Sequence, residues 1–253
     1  MAPHETLSDP EIVELCRLGE RLVGWEAGIA KISDQAMVKF GFQTTSAEAT
    51  NLRIARELLD PNIVYVPRFY RFFRHEDIGY IVMEYVNGTH FSSSEYGELV
   101  NKMGEVINHF QSISGTVPGP LCGGISFGYL WDNDYPNFQT IEQLENWVNT
   151  RINPTYSHMV SFKDERLVLC HLDLSPENKW QKADGTICLV HWDMAGYYPR
   201  CFEAASFKFS SPIDKETFKA EMWDHMEAGI GREESKMARS VLAAWVNDGG
   251  IYL

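Results

Sequence analysis

The segment His171-Leu172-Asp173-Leu174-Ser175-Pro176-Glu177-Asn178 decides how this chain is read. It follows a short apolar run, residues 166–170, with the composition of a strand. Inside the loop an Asp is followed five positions later by an Asn. A carboxylate so placed can accept the proton of a hydroxyl group, and an amide oxygen can hold a hard metal ion. Ser-Pro-Glu-Asn is also ordinary turn chemistry. The pattern H-x-D-x-x-x-x-N, with a strand before it and a hairpin after it, favours a loop built for phosphoryl transfer. That chemistry asks a protein for positioning and charge neutralisation rather than covalent help.

Thirteen residues after Asn178 comes His191-Trp192-Asp193-Met194-Ala195-Gly196. It follows Ile187-Cys188-Leu189-Val190, a buried type of strand whose end is expected at a cleft. A carboxylate at that point would bridge magnesium to phosphates. Imidazole is a poor magnesium ligand, since that ion prefers hard oxygen donors. His191 suits proton transfer near neutral pH, or a structural hydrogen bond to backbone. Asp193 stands two residues on, as a metal carboxylate if the loop shifts or as a fastener of the loop. His171, Asp173, His191 and Asp193 together would make an acid–base cluster.

Upstream, the pattern implies a compact α+β unit. Ser8-Asp9-Pro10-Glu11 is a capping box with proline in the first turn, and it opens a helix ending near Leu18. Three strand-like runs follow at residues 21–26, 28–33 and 35–40, read as an antiparallel meander. Thr45-Ser46-Ala47-Glu48 is a second capping box, and its helix stops at Asp60-Pro61. Residues 68–75 and 80–85 flank a turn around Asp77-Ile78-Gly79. Asn87-Gly88 closes this part. The expected domains are therefore residues 1–86, a small lobe of sheet plus one helix, and residues 87–253, a larger, mainly helical lobe carrying the motif loop.

Lys39 ends the third strand of the small lobe. A lysine there can hold nucleotide phosphates when a glutamate on the next helix pairs with it. Glu48 is the candidate, although it also occupies the third helical position of a capping box. Both jobs coexist only if its side chain swings away from the cap. Met83-Glu84-Tyr85-Val86 ends the hairpin, and in a two-lobed arrangement the backbone of Glu84 and Val86 would meet an adenine.

Composition narrows the function further. The 253 residues are 44% apolar and 13% aromatic, so a real core is possible. The net charge of −13 argues against a nucleic-acid surface and against an electrostatic membrane anchor. Five scattered cysteines without C-x-x-C spacing read as reduced, mostly buried thiols. Residues 1–10 show no apolar signal core, and no run approaches the roughly 18 apolar residues of a membrane span. The expected address is the cytoplasm. Phe127, Tyr129, Trp131, Tyr135 and Phe138 could wall a site for an aromatic, polyketide- or terpenoid-like small molecule, or could pack a core.

These residues together resemble the aminoglycoside phosphotransferase-like family, small-molecule kinase-like proteins abundant in filamentous fungi. The similarity runs through Leu7-Ser8-Asp9-Pro10-Glu11-Ile12, Val38-Lys39-Phe40-Gly41, Glu48-Ala49 and Val66-Pro67-Arg68-Phe69-Tyr70. It continues in Tyr80-Ile81-Val82-Met83-Glu84-Tyr85, the loop 171–178, and Ala195-Gly196-Tyr197-Tyr198-Pro199-Arg200. The resemblance implies a two-lobed, protein-kinase-like α+β fold. It implies Asp173 as catalytic base, Asn178 as metal ligand, Lys39 as phosphate ligand and Glu48 as its partner, with ATP and magnesium as cofactors. Two departures accompany it. The small lobe has no glycine-rich loop, only Gly24 and Gly28. The family reads Asp-Trp-Glu where this chain reads His191-Trp192-Asp193, so the metal-binding Asp has become His191.

Three functions follow. One is ATP-dependent phosphorylation of a small hydroxyl compound, with Asp193 or an unusual metal serving the site. Another is an ATP-independent acid–base enzyme of secondary metabolism, a cyclase, isomerase or lyase, using the His/Asp cluster. A third is a non-catalytic pseudokinase that binds a partner or nucleotide.

Overall fold

A computed structural model describes residues 3–18, 28–131, 134–153, 155, 157–210 and 216–248. The chain divides into two compact units, Met1–Thr89 with Trp180–Asp193, and His90–Lys179 with Met194–Leu253. Residues 180–193 return to the first unit.

In the first unit the helix Asp9–Leu18 begins as its capping residues dictate, with the Ser8 N–H and hydroxyl donating to Glu11 Oε2 at 2.7 and 2.6 Å. Its apolar stripe, Ile12, Val13 and Cys16, packs with Ala30, Val38, Phe40, Phe73, Tyr80 and Val82. The sheet is antiparallel, in the order Gly28–Lys31, Ala36–Gly41, Ile78–Glu84, Phe69–His75. The strand-like run expected at residues 21–26 lies outside the described residues.

Alternation along Ala36–Gly41 buries Val38 in this core and turns Met37 and Lys39 to the other face. The hairpin turns at Glu76-Asp77, slightly earlier than its composition suggests, with Glu76 in the left-handed region at φ 53°. Gly79 follows the turn because a Cβ there would lie 1.9 Å from the Thr44 carbonyl oxygen. The helix Ser46–Leu58 buries Glu48, Ala49, Asn51, Leu52 and Ala55 on one face. Val64–Tyr65 pairs in parallel with Ile187–Cys188, and this long-range ladder draws residues 180–193 into the unit.

In the second unit the strand Leu167–Cys170 is the edge of a three-stranded antiparallel sheet with Gly196–Pro199 and Gly119–Pro120. The helices Tyr96–Ser112, Ile141–Asn149, Cys201–Ser210, Glu216–Gly229 and Arg232–Asp248 surround it. Trp131 is 1% exposed, and its ring lies 5.2, 5.5 and 5.6 Å from those of Trp147, Tyr198 and Phe138. Trp131 and Phe138 are therefore core, not ligand wall. Tyr135 is exposed and stacks on Phe127, while the ring of Tyr129 lies outside the described side chains.

Four of the five cysteines are buried thiols and Cys122 is half-buried. Among the described residues no helix is long and apolar enough to cross a membrane.

Candidate functional site

In the first unit, Lys39 Nζ lies 2.5 Å from Glu48 Oε1. The conflict between capping and pairing resolves within Glu48 itself. Its backbone N–H donates to Thr45 Oγ1 at 3.1 Å, which caps the helix, while its carboxylate leaves the cap for the lysine. Burial pushes the Glu48 carboxyl up to about 7; Lys39 pulls it down and Asp193 adds to the rise. Glu48 Oε2 and Asp193 Oδ1 are both buried and without a hydrogen-bond partner among the described residues. Such oxygens carry a cost that a cation would relieve.

The segment after Ile187–Leu189 turns sharply. His191 takes φ 66°, the left-handed region that non-glycine residues enter at a cost and that Asn, Asp and His tolerate best. Its side chain is partly exposed. Trp192 is buried and donates its indole N–H to the Leu189 carbonyl at 3.1 Å. Asn51, fully buried on the helix Ser46–Leu58, donates to the carbonyls of Trp192 and Asp193 at 2.9 and 3.3 Å.

At the end of the strand Ile78–Glu84, the Glu84 carboxylate accepts from the Tyr65 hydroxyl at 2.7 Å and from the Arg68 N–H at 2.9 Å. That side chain is committed within the unit. What Glu84 and Val86 could offer a nucleotide base is main chain.

In the second unit the loop after Leu167–Cys170 is gripped from beneath. Glu203, 4% exposed on the helix Cys201–Ser210, accepts from the His171 N–H at 2.5 Å and the Leu172 N–H at 3.1 Å. This double bond-pair sustains the left-handed backbone of Leu172, φ 65°. Burial pushes the Glu203 carboxyl up to about 7; the two N–H donors and Lys179 pull it back. His171 is fully buried, and its Nδ1 accepts from the Asp173 N–H at 3.2 Å. Asn178 Nδ2 donates to the Asp173 carbonyl at 3.1 Å, which leaves Oδ1 as the end of chemical use to a cation. Lys179, 0% exposed, donates to the carbonyls of Leu174 and Ser175. Asp173 thus sits partly exposed on a loop whose backbone is fixed at both ends.

Sequence reasoning named Asp173, Asn178, His171, Lys39, Glu48, His191, Asp193, Glu84 and Val86. It missed Glu203, Lys179 and Asn51. Asn51 lies on an amphipathic helix among other polar residues, and Lys179 simply follows the motif. Glu203 carried one signal, a single carboxylate in the otherwise uncharged, mostly apolar and wholly buried stretch 201–207.

Among the described residues no three His, Cys, Asp or Glu side chains stand together as a metal site. Asp193, with its unpartnered buried oxygen, fits a magnesium ion nonetheless, because that ion commonly takes one or two carboxylates and completes its shell with water and phosphate oxygens.

The family model described as "Phosphotransferase enzyme family" matches residues 35–234. A thermostable mutant of aminoglycoside phosphotransferase APH(4)-Ia, in its apo form, is 13% identical with TM-score 0.62, over 90% of this chain and 84% of that one. A ternary complex of such a mutant with AMP-PNP and hygromycin B is 13% identical with TM-score 0.61, over 95% and 90%. The streptomycin–ATP complex of APH(2")-IIa is 13% identical with TM-score 0.56, over 98% and 92%. No curated protein matches the chain.

Proposed function

The chain belongs to the phosphotransferase enzyme family and has its kinase-like fold, and from that premise we propose that it transfers the γ-phosphoryl group of ATP to a hydroxyl of a small molecule. The observation that carries the proposal is the Lys39–Glu48 pair, closed at 2.5 Å beside the unpartnered oxygen of Asp193. Lys39 holds nucleotide phosphates, and Glu48 holds Lys39. The main chain at Glu84 and Val86 takes the base. Asp173 accepts the proton of the substrate hydroxyl as its oxygen attacks phosphorus, and ADP leaves. His171 acts by fixing the backbone of Asp173. Magnesium, when bound, would supply neutralisation of the phosphate charges; in the first unit Asp193, with its buried unpartnered oxygen, is the carboxylate that would hold it. Neighbours of the same fold are described with AMP-PNP or ATP and with aminoglycosides, which supports a nucleotide and a small polar acceptor. The net charge of −13 favours an acceptor that carries positive charge.

Melting the protein with and without ATP and magnesium, then following phosphate transfer to a panel of alcohols and aminoglycosides, tests this. A rise in melting temperature with transfer to one acceptor class is expected. No stabilisation by the nucleotide would end the reading.

One observation favours a second reading. His191 is a partly exposed imidazole at a strained backbone position, where an acid–base group is useful in ATP-independent chemistry. That reading requires His191→Ala and Asp173→Ala each to abolish turnover of an organic substrate with no ATP present. Full turnover in both variants would remove it.

A further inference from the structure

We infer that Asn51 is a positioning residue that holds the turn at residues 191–193 and thereby aims the carboxylate of Asp193. The inference rests on the phosphotransferase reading for its kinetic arm only. A side-chain amide at 0% exposure on the helix Ser46–Leu58 could satisfy its donors anywhere; this one places Nδ2 between two successive carbonyls, of Trp192 at 2.9 Å and Asp193 at 3.3 Å. Those carbonyls belong to a turn entered through a left-handed His191, so strand pairing does not take them. The backbone there pays a conformational cost, and it persists where its surroundings over-determine it. Contacts that do so include the buried Trp192 indole on the Leu189 carbonyl, and Asn51.

Glu48 lies three residues before Asn51, on the same buried face of the helix. One helix face therefore holds Lys39 through Glu48 and the 191–193 turn through Asn51. Registering both on one rigid element keeps the lysine and Asp193 at a constant separation. Only a residue with two amide protons and no charge suits the second position. Leucine is close in size but donates nothing, and aspartate would turn an acceptor on two carbonyls.

The test uses the full chain with Asn51→Leu. Amide hydrogen exchange in the absence of nucleotide and metal is expected to rise about tenfold or more at residues 191–193, with the strand Ile78–Glu84 unchanged. If Asn51→Leu does not fold, Asn51→Ala, which leaves room for water, is read in the same way. In phosphate transfer, the magnesium concentration for half-saturation is expected to rise about 10- to 100-fold, while kcat at saturating magnesium stays near wild type. Unchanged exchange at 191–193, or a uniform rise across the whole unit, overturns the inference. So does a loss of kcat that added magnesium does not restore. If the wild-type protein responds to no nucleotide, the phosphotransferase reading fails while the exchange measurement still decides the role of Asn51.

Discussion

Glu203 Oε2 lies 2.5 Å from the backbone nitrogen of His171, so a helix that begins 30 residues after His171 holds the first residue of the loop bearing Asp173. Its other oxygen takes the next N–H, and the buried Lys179 ammonium takes carbonyls from the far side of the same loop. Removing this carboxylate strands two buried N–H groups and takes away a negative charge that the buried Lys179 ammonium feels. Glu203→Ala is expected to cost about 3 kcal/mol or more. That corresponds to a fall of roughly 6–12 °C in melting temperature for a chain of this size. Urea unfolding checks it, and a loss under about 1 kcal/mol would mean the loop stands without the carboxylate.

Two buried glutamates set a pH dependence. Glu48 and Glu203 are each pushed up to about 7 from an ordinary 4.5, in both cases chiefly by burial. Between those values the folded chain binds more protons than the unfolded one. The stability they contribute is full below about pH 4.5 and is lost as pH rises through about 7. The melting temperature is therefore expected to be higher at pH 5 than at pH 8. Glu48→Gln and Glu203→Gln should each flatten the profile. A melting temperature that climbs across this window would contradict the assignment.

Lys39→Met keeps the stem of the side chain and removes its charge. Glu48 then loses its cation and protonates, so folding should survive, as circular dichroism would report. Phosphate transfer is expected to fall by about 10²–10³, the usual effect of removing one preorganised donor at a phosphate. Stabilisation by ATP should fall with it. Transfer at the wild-type rate would detach Lys39 from the chemistry.

His191→Asp tests what the imidazole does. Aspartate tolerates φ 66° as histidine does, so the backbone should not move. A second carboxylate near Asp193 is expected to raise magnesium-dependent ATP turnover by about tenfold or more. A drop in turnover of the physiological substrate would show that the imidazole itself takes part.

Much of the fold could be read from local pattern. The apolar run 166–170 and the turn residues of 175–178 announce a strand and a tight loop, and both are found. The helix starts at Ser8 and Thr45 follow from side chains that bond backbone three positions away. Lys39 and Glu48 are nine residues apart, close enough for strand-then-helix geometry to bring them together. The aromatic run 127–138 was ambiguous for a physical reason. A ring lining a ligand site and a ring filling a core obey the same hydrophobic preference, and only packing shows Trp131 and Phe138 to be core.

Local chemistry thus set most of the elements, the caps, the loop that carries Asp173 and Asn178, and the pairing of Lys39 with Glu48, because each depends on neighbours within about ten residues. Tertiary packing decided everything that depends on a distant partner. It set Val64–Tyr65 against Ile187–Cys188, Asn51 against the carbonyls of 192 and 193, and Glu203 against the N–H groups of 171 and 172. A buried polar side chain is identical in composition to an exposed one. What distinguishes it is the hydrogen-bond partner that offsets its desolvation, and that partner is supplied by the fold.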